Sequence, residues 1–63
     1  MEKGQKVKVK RLRDRVSPVI VNCLGKVGVI TDYKVVDGGG IGFLVKFDDQ
    51  FATWFFEDEL APA

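Results

Sequence analysis

The chain has no histidine, one cysteine, one serine and two prolines among its 63 residues. Without histidine it lacks both the usual general base near neutral pH and the commonest metal ligand. A lone cysteine, Cys23, excludes an intrachain disulfide, and with no second thiol or imidazole a structural zinc site has no ligand set. Nothing near Cys23 in the sequence would activate its thiol, so it reads as a small apolar filler suited to a reducing compartment. The only serine, Ser17, precedes Pro18 and is used as a helix cap. Glu57, Asp58 and Glu59 are consecutive, so they do not face one another across a cleft as an acid–base pair must. The expectation is a protein that is not an enzyme, with no catalytic residue, no cofactor and no metal.

Long apolar runs are missing as well. No stretch approaches the roughly 20 residues that span a bilayer. Residues Met1 to Lys6 carry charge but no apolar segment, so no secretory signal is expected. Work at a membrane would be that of a peripheral component. The glycines of Gly38-Gly39-Gly40-Ile41-Gly42 precede a strand instead of a helix, and no Lys-Ser or Lys-Thr follows them. They lack the helix N-terminus that lets such loops cradle a phosphate.

What remains is a short, charge-polarised, aromatic-rich chain. Residues 1–26 hold eight basic groups against Glu2 and Asp14, whereas residues 27–63 hold Lys34 and Lys46 against seven acids. The net charge of +1 conceals that division. It suits an oriented electrostatic encounter better than general nucleic-acid binding. A chain of this size is one domain, residues 1–63, close to the lower limit for folding unaided. Its core must come from aromatic and aliphatic packing.

Gln5 to Lys10 alternates strictly, with Val7 and Val9 on one face and Lys6, Lys8 and Lys10 on the other. That predicts a half-buried strand whose lysines are its wet, edge-protecting side. Arg11 to Val16 is a basic connection. Ser17-Pro18 starts either a short helix or an irregular apolar loop over residues 19–24, ended by Gly25 and covering one end of the core. Lys26 to Val35 predicts a second strand, with Val27, Val29, Thr31 and Tyr33 on one face. Gly28 within it marks a bulge, a bend or a close backbone approach. Asp37 to Gly40 makes a hairpin loop. Ile41 to Phe47 is the third strand and Phe51 to Phe55 or Phe56 the fourth. Glu57 to Leu60 is short enough for a single 3-10-like turn, solvated by its charges, before a brief edge at Leu60-Ala61-Pro62. The sum is all-β: a small five-stranded SH3-like barrel with a 3-10 turn before its last strand.

Five of the seven aromatics fall between Val45 and Leu60. Alternation puts Phe51, Thr53 and Phe55 on one face of the fourth strand and Ala52, Trp54 and Phe56 on the other. With Phe43, Val45, Phe47, Phe55 and Leu60 forming the core, Trp54 and Phe56 face out as a candidate protein anchor. A one-residue bulge would instead turn Trp54 inward. The candidate partner-binding residues are the arginines Arg11, Arg13 and Arg15, suited to carboxylates or lipid phosphates, together with Trp54, Phe56 and Tyr33.

Two levels of likeness attach to these residues. Gly4-x-x-Val7-x-Val9, Gly25 to Ile30, Val45-Lys46-Phe47 and Phe55 to Leu60 resemble small SH3-like barrels in general, including RNA-binding modules of the KOW type. Met1-Glu2-x-Gly4-Gln5-Lys6-Val7-x-Val9, Arg11 to Pro18, Leu24-Gly25-x-Val27-Gly28, Gly40-Ile41-Gly42 and Thr53-Trp54-Phe55-Phe56-Glu57-x-Glu59-Leu60 together resemble the PetP family. This is the family of small subunits associated with the cytochrome b6f complex in cyanobacteria and red algae. The resemblance implies a peripheral protein on the cytoplasmic (stromal) side of the thylakoid membrane, without a redox centre, modulating photosynthetic electron transport. Its partners would be cytochrome b6f subunits, with membrane association through the complex. Two alternatives stay open. One is a docking site for a soluble electron carrier on the basic connection. The other is an RNA-binding module, disfavoured because the acidic C-terminal half would repel a phosphate backbone.

Overall fold

The structure is a computed structural model, and it describes residues 1–13, 16–38 and 40–63. The elements run β1 (Lys6–Val9), α1 (Pro18–Val21), β2 (Val27–Val36), β3 (Gly40–Lys46), β4 (Ala52–Phe56), a 3-10 turn (Glu57–Glu59) and β5 (Leu60–Pro62). All strand pairs are antiparallel, in the order β4-β3-β2-β1-β5.

Chain connectivity forces this sheet to curl. Laid flat, five strands would hold their two edges about 19 Å apart, at about 4.8 Å per neighbour. The edges are β4 and β5, yet only the three residues Glu57–Glu59 join them. A 3-10 turn of that length rises about 6 Å. The sheet therefore wraps into the SH3-like barrel. Its inside is filled by Val7, Val9, Cys23, Ile30, Phe43, Val45, Phe47, Phe55 and Leu60. The Phe47 ring lies edge-on to Phe55 and stacks with Phe51, which closes the β3–β4 turn. The expected core residues of the C-terminal third are all among those buried.

Gly28 shows why a glycine stands inside β2. A Cβ built there would lie 2.6 Å from a Val45 methyl and 2.8 Å from the Lys46 carbonyl oxygen. The close approach lets β2 pack onto β3 where the barrel bends.

Several expectations are corrected. The register of β2 and β3 shifts between Ile30 and Asp32. Thr31 is the extra residue of a bulge, which inverts the side-chain parity beyond it. Tyr33 therefore pairs with the inward Phe43 and does not share a face with Val27 and Val29. Ser17 precedes α1, but its side chain makes no capping bond; its carbonyl oxygen accepts from the Ile20 and Val21 N–H groups instead. The apolar connection covers the core sparingly. Cys23 is buried and Leu12 and Ile20 pack against the core, whereas Val19, Val21 and Leu24 are exposed. Finally, β1 lies between β2 and β5. Its lysines therefore protect no edge.

Candidate docking surface

The acidic closing turn is the first place where function and fold must be separated. Glu59 was expected in a solvated turn but is fully buried. Its carboxylate accepts the Phe56 N–H at 2.7 Å and the Arg13 N–H at 2.9 Å. The Glu59 carbonyl also accepts from the N–H groups of Lys10 and Arg11. One residue thus ties the basic connection to the end of β4, and it does so with charge-assisted bonds out of water. The signal in the sequence was Glu59 standing three residues after Phe56, the spacing at which a glutamate reaches back to an N-terminal N–H.

Asp58, next to it, takes the arginines. The Arg11 guanidinium donates to the Asp58 carboxylate at 2.8 Å and to its backbone carbonyl at 3.1 Å. Arg13 Nε donates to both carboxylate oxygens, at 2.9 and 3.1 Å. The hydrogen bond from Arg11, joined by that from Arg13, holds the Asp58 carboxyl below its ordinary range against some desolvation in the opposite sense. Two of the three arginines expected to bind a partner are therefore paired within the chain. Arg15 lies outside the described residues.

Strand register puts Trp54 opposite Leu44 and Phe56 opposite Gly42, on the outside of the sheet. Both rings are half-buried all the same. Cations cover them: the Arg13 guanidinium carbon sits 4.1 Å above the Phe56 ring centre, and Lys34 Nζ sits 4.6 Å above that of Trp54. Gly42, between them, presents no side chain. The Trp54 ring, Val36 and the Lys34 stem all approach within 4 Å of where its Cβ would be. The result is an outward aromatic pair with a glycine floor and a cation on each ring, a geometry worth about 0.5–1 kcal/mol per exposed pair. Tyr33 is not part of it. By register it belongs to the opposite face, where it is 55% exposed and lies under Lys3, which also reaches Asp32.

A second surface went unnoticed in the sequence. Register aligns Lys6, Val29 and Lys46 in one row across β1, β2 and β3, and Lys8 beside Val27 in the next. An open groove of about 410 Å³ runs over it, lined among others by Lys6, Val27, Val29, Thr31, Lys46 and Asp48. Lys6, Lys8 and Lys46 form no salt bridge among the described residues. The alternation of β1 pointed to Lys6 and Lys8; only the strand order could bring Lys46 beside them.

Together these features describe a small SH3-like barrel that carries an aromatic pair under cations and an open lysine face on its outside. The sequence pattern of the family described as "Cytochrome b6f, subunit Tsr0524-like" matches residues 3–61. The chain belongs to that family. It is 54% identical to the cyanobacterial cytochrome b6f complex subunit PetP, whose solution structure it matches with a TM-score of 0.90, covering 100% of this chain and 80% of that one. It is also 30% identical over 57 residues to uncharacterized protein ORF65 of Porphyra purpurea, covering 90% of this chain and 88% of that protein. Among the described residues, no helix is long and apolar enough to cross a membrane.

Proposed function

We propose that this protein is a non-catalytic, peripheral accessory subunit of the cytochrome b6f complex. It docks on the cytoplasmic (stromal) side of the thylakoid membrane and modulates photosynthetic electron transport by altering the stability of the complex or the access of its partners. The observation that carries this reading is the family match across residues 3–61, supported by the likeness to PetP over the whole chain. The proposed contact is the outward stripe of Trp54 and Phe56, rimmed by Arg11 and Arg13; Arg15, outside the described residues, stays a candidate from the sequence. Trp and Arg are the residue types that anchor protein interfaces. Arg11 and Arg13 keep their pairs with Asp58 and hold the rim in place, while the rings carry the contact. Tyr33 contributes only to a partner that reaches the other face of the sheet. Nothing favours the soluble-carrier alternative, since the two described arginines that would attract such a carrier are committed to Asp58.

The test is recovery of cytochrome b6f subunits with a tagged copy from mildly solubilised membranes. Co-purification is expected, and its absence overturns the assignment. Trp54→Ala is expected to cut recovery by tenfold or more, on the scale of an interface anchor worth about 2 kcal/mol. Undiminished recovery would move the contact off the aromatic stripe.

A further inference from the structure

The lysine face of β1, β2 and β3 has no role in the fold that would account for it. Edge protection does not apply, because β1 is an inner strand flanked by β2 and β5. Internal pairing does not apply either, since Lys6, Lys8 and Lys46 make no salt bridge among the described residues, whereas Arg11 and Arg13 both do. The row Lys6–Val29–Lys46 and the pair Lys8–Val27 interleave ammonium groups with aliphatic side chains on one sheet face. Val27 is 46% exposed there, and Val19, Val21 and Leu24, shortly before it in the chain, are exposed as well. Asp48, from the β3–β4 turn, also lines the groove, and Asp49 joins it with Lys26 in the adjoining hollow. Those two acids bound the basic surface on the side of the β3–β4 turn.

We propose that this face lies against the anionic headgroups of a membrane. Lysine is suited to that task because its compact charge on a flexible stem follows mobile phosphates without a fixed geometry, unlike the planar fork of arginine. Valines between the lysines settle at the headgroup boundary, where apolar area and electrostatic attraction add. The net charge of only +1 makes the attraction depend on orientation. Turned toward an anionic surface by this face the protein is attracted, and turned by its acidic closing turn it is not. The membrane is taken as near at hand on the strength of the proposed function. The lipid contact itself is a property of the isolated chain.

The experiment is co-sedimentation of the isolated protein with vesicles at low salt. One set is equal parts phosphatidylglycerol and phosphatidylcholine; the other is phosphatidylcholine alone. Binding is expected to the anionic vesicles only. Replacing Lys6, Lys8 and Lys46 together by Gln is expected to weaken it about a hundredfold, at about fivefold per lysine. Replacing the same three by Arg preserves it, and amide NMR spectra of both variants report whether the barrel is intact. Equal binding to the two vesicle types overturns the proposal, as does full binding by the Gln variant. If the wild type ignores vesicles but the Gln variant no longer co-purifies with cytochrome b6f, the face is a protein contact and the lipid proposal falls. Because the vesicles contain no protein partner, a failed co-purification leaves the lipid result untouched.

Discussion

Two basic regions of this small barrel have opposite fates. The connection carrying Arg11 and Arg13 is drawn into the fold, its guanidinium groups on Asp58 and the Arg13 backbone N–H on the buried Glu59. The sheet face carrying Lys6, Lys8 and Lys46 keeps its charges unpaired among the described residues. Both would look alike in a charge count. The difference is what stands opposite each: an acidic turn that closes the barrel in one case, and valines and solvent in the other. Charge that is internally satisfied holds structure, and charge that is left over is available to a partner.

The largest effect is expected at the one charge in the clasp that is out of water. Glu59→Ala strands the N–H groups of Arg13 and Phe56 and is expected to cost about 3 kcal/mol in urea unfolding. A loss below about 1 kcal/mol would mean that the arginine side chains and not Glu59 hold the connection. Next in size is Arg13→Ala, which removes the forked hydrogen bond to both Asp58 carboxylate oxygens and the cation above Phe56. It is expected to lose about 1 kcal/mol.

The clasp should also yield to acid. The Asp58 carboxyl is lowered from its ordinary value of 3.8 by the Arg11 and Arg13 hydrogen bonds. Its contribution is therefore complete above that value and fades as the pH falls through the depressed one. The difference in stability between wild type and Asp58→Asn should shrink across that window, and a difference that persists at the acid limit would break the assignment.

The smallest stability effect belongs to the other region. Replacing Lys6, Lys8 and Lys46 by Gln should change unfolding free energy by no more than about 0.5 kcal/mol, since exposed unpaired charges carry little of it. A larger loss would show that these lysines also serve the fold, and the contrast between the two regions would be lost.

A further check concerns Cys23, buried and donating its thiol to the Val19 carbonyl at 3.4 Å. Burial pushes the thiol up from 9.0, with Lys26 pulling it down and Asp49 adding to the rise. Alkylation at neutral pH should be slow in the folded protein and fast in denaturant. Fast labelling of the native state would mean that the α1 end opens readily.

Much of the fold was legible because local pattern and global fold agree. Strict alternation in β1, the hairpin glycines, and the single turn between Phe56 and Leu60 each specify an element by short-range chemistry. What escaped was everything that needed a neighbour. Tyr33 was assigned to the wrong face because a one-residue bulge at Thr31 reverses parity without altering composition. Glu59 was misjudged because burial of a carboxylate depends on which donors the fold delivers to it. The pairing of Arg11 and Arg13 with Asp58 was not legible because Asp58 is more than forty positions away in the chain.

By itself the sequence determined that this is a β-strand chain without an intrachain disulfide, whose core aromatics, Phe43, Phe47 and Phe55, come from its C-terminal third. It also determined that Trp54 and Phe56 alternate away from Phe55. These follow from side-chain period and turn chemistry, which act over a few residues. Only the tertiary structure decided that Trp54 and Phe56 lie beneath cations, that two arginines belong to the closing turn, and that three lysines from two strands share one open face. The physical reason is that electrostatic partnership depends on distance in space. A charge acquires its role only when the strand order and register have settled what lies across from it.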